Sequence, residues 1–259
     1  VHEAMDQVGA FLGPLLIAAS LALTASYGLG FLLLAIPGVA SVAVLLLLRR
    51  RVPDHAQYEP VDEAIPADVT PREPLPRAFW VYAAFTALTM TGFTTFGLLS
   101  FHLIDMGDVS AAWVPVAYAG VMAVDAIAAL VFGRWYDRIG LRGLVVIPVL
   151  AAVVPWLGFS ASTALVIGGM LLWGVVLGVQ ESTMRAAVAA LVPDARRGSA
   201  YGIFTAAYGL AWLLGSIIIG VSYERSPWLA AAIISVTQAL ALAMFLLARP
   251  HRHHECAVR

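Results

Sequence analysis

Residues 111–143 read AAWVPVAYAGVMAVDAIAALVFGRWYDRIGLRG. From Ala111 to Gly133 the run carries a single charge, Asp125; then Arg134, Arg138 and Arg142 follow in quick succession. A helix crossing the roughly 30 Å hydrocarbon core of a bilayer needs about 20 mostly apolar residues. The stretch therefore reads as a transmembrane helix that ends in a basic loop. Seven further apolar runs of comparable length surround it, so the whole chain reads the same way.

Composition agrees. Of 259 residues, 61% are hydrophobic and 12% charged, with a mean hydropathy of +0.87, against roughly a quarter charged in soluble domains. A soluble globule is excluded. Fifteen basic and sixteen acidic side chains give a net charge of −1, which offers no bulk positive field for nucleic acid. The single cysteine, Cys256, permits neither an intrachain disulfide nor a cysteine-based metal cage.

The apolar runs lie at about 5–26, 29–48, 78–103, 111–133, 143–160, 163–184, 199–221 and 227–248, which predicts eight spans. They are too long for barrel strands and lack a period of two, so helices that satisfy their own backbone are expected. All fifteen basic residues are arginines, and they test the map. Arg49, Arg50, Arg51, Arg72 and Arg77 follow the second span, Arg134, Arg138 and Arg142 the fourth, Arg196 and Arg197 the sixth, and Arg249, Arg252 and Arg259 the eighth; the opposite loops hold only Arg225. By the positive-inside rule both termini and the 49–77 segment are cytoplasmic. That segment, rich in proline and charge, reads as a linker.

The linker divides the chain unequally, with two spans before it and six after. A shift of 202 residues lays Ala4, Leu12, Gly13 and Ser20 over Ala206, Leu214, Gly215 and Ser222. Chance similarity of two Gly/Ala-rich membrane helices is one reading of this match. The other is an internal repeat, in which 1–48 holds the last two helices of an incomplete N-terminal half and 78–250 a complete six-helix half, with 251–259 a cytoplasmic tail. Four preceding helices are then expected in a full-length protein.

The loop after the fourth span, FGRWYDRIGLRG (residues 132–143), fixes Gly133, Asp137, Arg138, Gly140 and Arg142 in the pattern G-x-x-x-D-R-x-G-x-R. Here the chain resembles the major facilitator superfamily, whose characteristic loop joins the second and third helices of each six-helix half. Gly143 departs from it, standing where a second basic residue is usual. The segment LVPDARRGSAYG (191–202) is similar to the family's loop before the fifth helix of each half. Gly9, Gly13 and Pro14 are similar to the G-x-x-x-G-P motif of its antiporter branch, although Ile17 and Ala18 replace two of that motif's glycines. The resemblance implies an all-α polytopic bundle that carries a solute by alternating access, with the loop motif holding the cytoplasmic face closed in one state. Glycines 133 and 140 can supply close approach and positive φ; Asp137 can cap a helix or pair with arginine, and Arg138 and Arg142 read equally as anchors near lipid phosphates.

Within the spans, few residues are polar enough to need a reason. Asp125 reads as a proton-coupling carboxylate or as a structural Asp met by a neighbouring helix. Glu181 and Arg185, four apart, share a helix face and read as a local pair or as gate residues. Thr89 and Thr94 in the threonine-rich third span, with Tyr118, Gln180, Tyr208 and Trp212, are candidates for the substrate cavity; packing or back-bonding to their own helices explains them equally. His102 and Asp105 read as solvated. The tail HRHHEC (251–256) holds metal-ligand residue types with no fixed geometry, so no metal and no cofactor is expected. No nucleophile elbow, phosphate loop or metalloprotease pattern appears, so no enzyme chemistry is expected.

The expected protein is thus a bacterial inner-membrane transporter of a small organic solute, proton-coupled and exporting, with lipid and protons as its other partners. The alternatives are an uptake symporter of the same fold, or a membrane scaffold or sensor that does not transport.

Overall fold

The computed structural model describes residues 2–51, 74–193 and 196–247, with the side chains of 2–7 and of Arg185 outside that description. Among the described residues the chain is helical and has no strand: α1 (His2–Thr24), α2 (Tyr27–Arg51), α3 (Arg77–Thr91), α4 (Phe96–Asp105), α5 (Val114–Ile139), α6 (Val146–Gly158), α7 (Thr163–Leu191), α8 (Arg197–Arg225) and α9 (Pro227–Leu247). Six helical runs are long and apolar enough to cross a membrane. One of them, Ala111–Gly158, is a continuous helical run of 48 residues that holds two of the expected spans, 111–133 and 143–160. At 1.5 Å per residue that run would be about 70 Å long, more than twice the hydrocarbon thickness, so it has to turn. The turn is at Gly140, with φ +61°, where a short 3-10 segment (Gly140–Val145) leads into α6. The positive φ expected of Gly140 is therefore present; Gly133 lies inside α5 and supplies only space, a Cβ there coming 3.8 Å from Ser182.

Packing follows the small residues. Helices α5 and α7 form the most intimate pair, and α7 also packs on α6; α6 leans on α9, which meets α3 and α8, while α1 packs on α5. Gly174 and Gly178, one turn apart on α7, sit directly on the α5 backbone: a Cβ on Gly174 would lie 2.7 Å from the Val121 carbonyl, and one on Gly178 would strike the Asp125 carbonyl. Between helices in lipid, close van der Waals approach of this kind replaces the hydrophobic effect as the source of cohesion. Helix α2 contributes almost nothing to this core; its apolar side chains from Phe31 to Leu48 are largely exposed.

The predicted third span is broken. Four residues, Gly92–Thr95, separate α3 from α4. Gly92 closes α3, and Thr95, extended at φ −92° and ψ 150°, opens α4 by accepting the Leu98 N–H on its side chain. Threonine is a good N-cap because its hydroxyl reaches an amide that the first helical turn leaves unpaired. A break inside a membrane also frees carbonyls, each costly in hydrocarbon unless paired. Neighbouring helices supply the partners: the Gln238 amide on α9 donates to the Thr89 and Gly92 carbonyls at 2.9 and 2.8 Å, and the Trp173 indole on α7 donates to the Thr94 carbonyl at 2.8 Å. Gln238→Leu strands both carbonyls and is expected to cost about 2 kcal/mol. Thermal unfolding of the detergent-solubilised protein measures this; a midpoint equal to wild type would show that water takes over the role.

The far end of α4 is tied down as well. His102, expected to be solvated, is partly buried, with Nδ1 2.6 Å from the Tyr223 hydroxyl on α8 and Nε2 3.0 Å from the Ser160 carbonyl in the α6–α7 turn. A carbonyl can only accept, so Nε2 donates to Ser160, and the Tyr223 hydroxyl is the hydrogen-bond partner of Nδ1.

Candidate functional site

The polar residues of α5, α7 and α8 converge on one inner surface. Asp125, in the middle of α5, is 1% exposed, with both carboxylate oxygens fully buried. Its helix is held close to α7 by Gly178, two residues before Gln180. Gln180 is itself 2% exposed, and neither its amide oxygen nor its amide nitrogen has a hydrogen-bond partner among the described residues. It lines a cavity of about 190 Å³ together with Glu181 and Met184 from α7 and Tyr201, Phe204 and Tyr208 from α8. Glu181, exposed at the cavity, and the buried Asp125 both lie within electrostatic reach of the Tyr118 hydroxyl on α5.

An aromatic file joins this cavity to the helix break. Tyr82 stacks on Phe204 with centroids 5.6 Å apart and planes within 3°, and its hydroxyl donates to the Met184 carbonyl. Phe204 adjoins Tyr208, Tyr208 adjoins Trp212, and Trp212 meets Phe93 within the break. From Phe93 the file runs through Trp173 and Phe96 to Tyr118, the last pair edge-on at 4.7 Å. Offset and edge-on contacts of this kind form a rigid apolar wall.

The sequence-predicted cavity residues divide. Gln180 and Tyr208 line one cavity, Thr94 lines a second beside the break, and Tyr118 and Trp212 belong to the aromatic file. Thr89 is different. It is fully buried and its hydroxyl bonds back to the Phe85 carbonyl, so its role in this geometry is helix packing. Asp137, Arg138 and Arg142 are exposed at the end of α5 and just beyond it. Gly9 and Gly13 on α1 make no close approach among the described residues, the nearest atom to a Cβ on Gly13 being Leu34 Cδ2 at 3.9 Å, and Pro14 is accommodated within the helix. The Arg185 side chain, most of the 49–77 linker and the 251–259 tail lie outside the described residues. Among residues that sequence reasoning missed, Gln238, Trp173 and His102 stand out. Only the glycine-threonine cluster at 92–95 could have drawn attention to the first two.

Comparison with known proteins fits this geometry. The family model of the major facilitator superfamily matches residues 104–257. Uncharacterized proteins of Mycobacterium bovis and of two strains of Mycobacterium tuberculosis are each 45% identical over 251 residues, covering 96% of this chain. The chain spans 61% of the length of those relatives. No solved structure matches significantly. Membrane-length apolar helices, a buried carboxylate at their centre and the matching family model lead to one conclusion: the chain is a multi-pass membrane protein and belongs to the major facilitator superfamily.

Proposed function

We propose that this chain is the greater part of a secondary transporter that moves a small, partly aromatic organic solute by alternating access, coupled to protons and in the export direction. The observation that carries the reading is the Gln180 amide. A buried amide with neither end hydrogen-bonded among the described residues costs free energy in a membrane protein, and a bound solute would supply the partner. The neighbours of Gln180 in the cavity are three aromatic rings, Met184, Thr205 and the Glu181 carboxylate, which suits a solute with an apolar body and a group that both donates and accepts hydrogen bonds. In this reading α1 and α2 are the last two helices of an N-terminal half whose other helices close the opposite wall. Asp125, one helix away, is the coupling carboxylate, taking up and releasing a proton as access alternates. Glu181 and Arg185 serve as gate residues on the cytoplasmic side, beside the loop motif of Gly133, Asp137, Arg138, Gly140 and Arg142. Both termini face the cytoplasm of a bacterial cell.

The test is flux of a panel of aromatic amides, amines and alcohols in everted vesicles carrying the full-length protein. Gln180→Leu keeps the volume and removes both hydrogen-bonding ends. It is expected to raise the half-saturating concentration about tenfold for the transported solute while leaving protein levels unchanged. No flux of any panel member, with a pH gradient imposed in either direction, would favour the scaffold or sensor reading; flux driven only inward would favour the symporter.

A further inference from the structure

The cavity between α7 and α8 carries the chemistry that sets the charge of its occupant. Along α8, Tyr201, Phe204, Thr205 and Tyr208 stand at the i, i+3, i+4 and i+7 positions of one helix face, and Glu181 and Met184 line the α7 side. Glu181 and Thr205 are exposed and Tyr201 and Tyr208 half-buried, so a carboxylate, a hydroxyl and two rings are within reach of an occupant. The Phe204 and Tyr208 centroids are 6.3 Å apart, close enough for one ligand to touch both rings. Among the described side chains that line the cavity the single charged group is acidic and none is basic. A second carboxylate, the buried Asp125, shares with Glu181 the neighbourhood of the Tyr118 hydroxyl. Aromatic rings present a negative face, and a cation within about 6 Å of a ring centroid is attracted to it, the more so where water is excluded. Rings and a carboxylate on one surface therefore attract a cation and repel an anion.

From these features we infer that the solute of this cavity is an organic monocation, an aromatic primary amine in its ammonium form, with its charge held by the Glu181 carboxylate and the rings of Tyr201 and Tyr208 and its own ring lying against Phe204 and Met184. The inference deepens the transport reading and rests on it: it names the charge class of the solute. The ammonium brings three N–H donors, which the Glu181 oxygens and the Thr205 hydroxyl can accept. A hydroxyl elsewhere on the same solute remains as the group that both donates and accepts. Selection by charge follows from the same arrangement, because a neutral isostere forgoes the carboxylate and the ring faces, and an anion of the same shape meets a carboxylate of like sign.

The probe is tritiated phenylethanolamine, an ammonium at neutral pH, bound to the full-length protein in phosphatidylcholine nanodiscs. Styrene glycol, in which a hydroxyl replaces the ammonium, and mandelate, in which a carboxylate replaces it, are the competitors. Saturable binding of the amine is expected, with the glycol at least about tenfold weaker and mandelate weaker still. Glu181→Gln is nearly isosteric; it is expected to bring the preference for amine over glycol close to one at an unchanged unfolding midpoint, and Glu181→Asp is expected to restore most of that preference. Thr205→Trp, which fills the cavity from an exposed position, is expected to abolish binding of both. Gly220→Leu, beside the separate cavity at the helix break and with open space for its side chain, is expected to bind the amine as wild type does. A preference for the amine that survives Glu181→Gln would overturn the inference, as would loss of binding in Gly220→Leu but not in Thr205→Trp. Glycol or mandelate bound as tightly as the amine, and displaced by Thr205→Trp, would overturn the charge assignment while the cavity kept its place as the solute site. No saturable binding of any of the three would overturn it too, and the vesicle fluxes described above decide separately whether the transport reading falls with it.

Discussion

Gly215→Ala is expected to leave little folded protein. Gly215 is buried on α8, and an added Cβ would strike the carbonyl oxygen, Cα and carbonyl carbon of Thr91, the last residue of α3 before the break. These are backbone atoms, held by the helix on one side and by the Gln238 hydrogen bonds on the other, so no rotamer change relieves the clash. Overpacking a core costs about 1–3 kcal/mol when side chains can adjust, and more when they cannot. Here the upper end, about 3 kcal/mol, is expected, because the two helices must separate and the pairing of the broken helix separates with them. Gly178→Ala drives a Cβ into the Asp125 carbonyl and belongs to the same class. The control is Gly168→Ala on α7, where nothing lies within 4 Å; it is expected to gain up to about 1 kcal/mol from helix propensity. The monodisperse fraction recovered after graded heating, read by size-exclusion chromatography, ranks the three. A Gly215→Ala protein as heat-resistant as wild type would mean that α3 and α8 do not approach this closely in the membrane.

Asp125→Asn carries the largest expected functional effect. The substitution is nearly isosteric, so the contact with Gly178 and the fold are expected to persist. The side chain can no longer take up and release a proton. In vesicles, transport driven by a pH gradient is expected to fall at least tenfold, while exchange of labelled for unlabelled solute at equal pH continues. That split separates coupling from binding: loss of both would make Asp125 a structural or substrate-contacting residue, and loss of neither would place the coupling group elsewhere. Burial of both carboxylate oxygens gives the expectation its physical basis, since a carboxylate inside a membrane span is costly and needs a reason.

Much of this protein is legible without coordinates. An excess of apolar runs in one-dimensional order, with arginines at alternate ends, reports the solvent the chain was selected to meet, and hydropathy is a local property of sequence. The turn at Gly140 was legible for the same reason: a glycine between a helix end and a basic loop is a local conformational requirement, and the observed φ of +61° meets it. The loop motif that carried the family resemblance is likewise contiguous, and the family match agrees with it.

What escaped the sequence is everything decided between helices. Residues 78–103 read as a continuous span because Phe93, Met90 and Leu98 keep the stretch apolar. The break at Gly92–Thr95 is tolerated only because Gln238, 146 residues away from Gly92, and Trp173, 79 residues away from Thr94, arrive to pair the freed carbonyls. The roles of individual polar residues divided on the same line. Thr89 and Thr94 are chemically identical and five residues apart, yet one satisfies itself against Phe85 while the other has its buried hydroxyl unpaired among the described residues. The sequence by itself determined a membrane solvent, a helical class and a turn. Tertiary structure decided which glycines are clamped, which helix is interrupted and which buried polar groups lack a partner among the described residues, because each depends on where the backbone of a distant helix comes to rest.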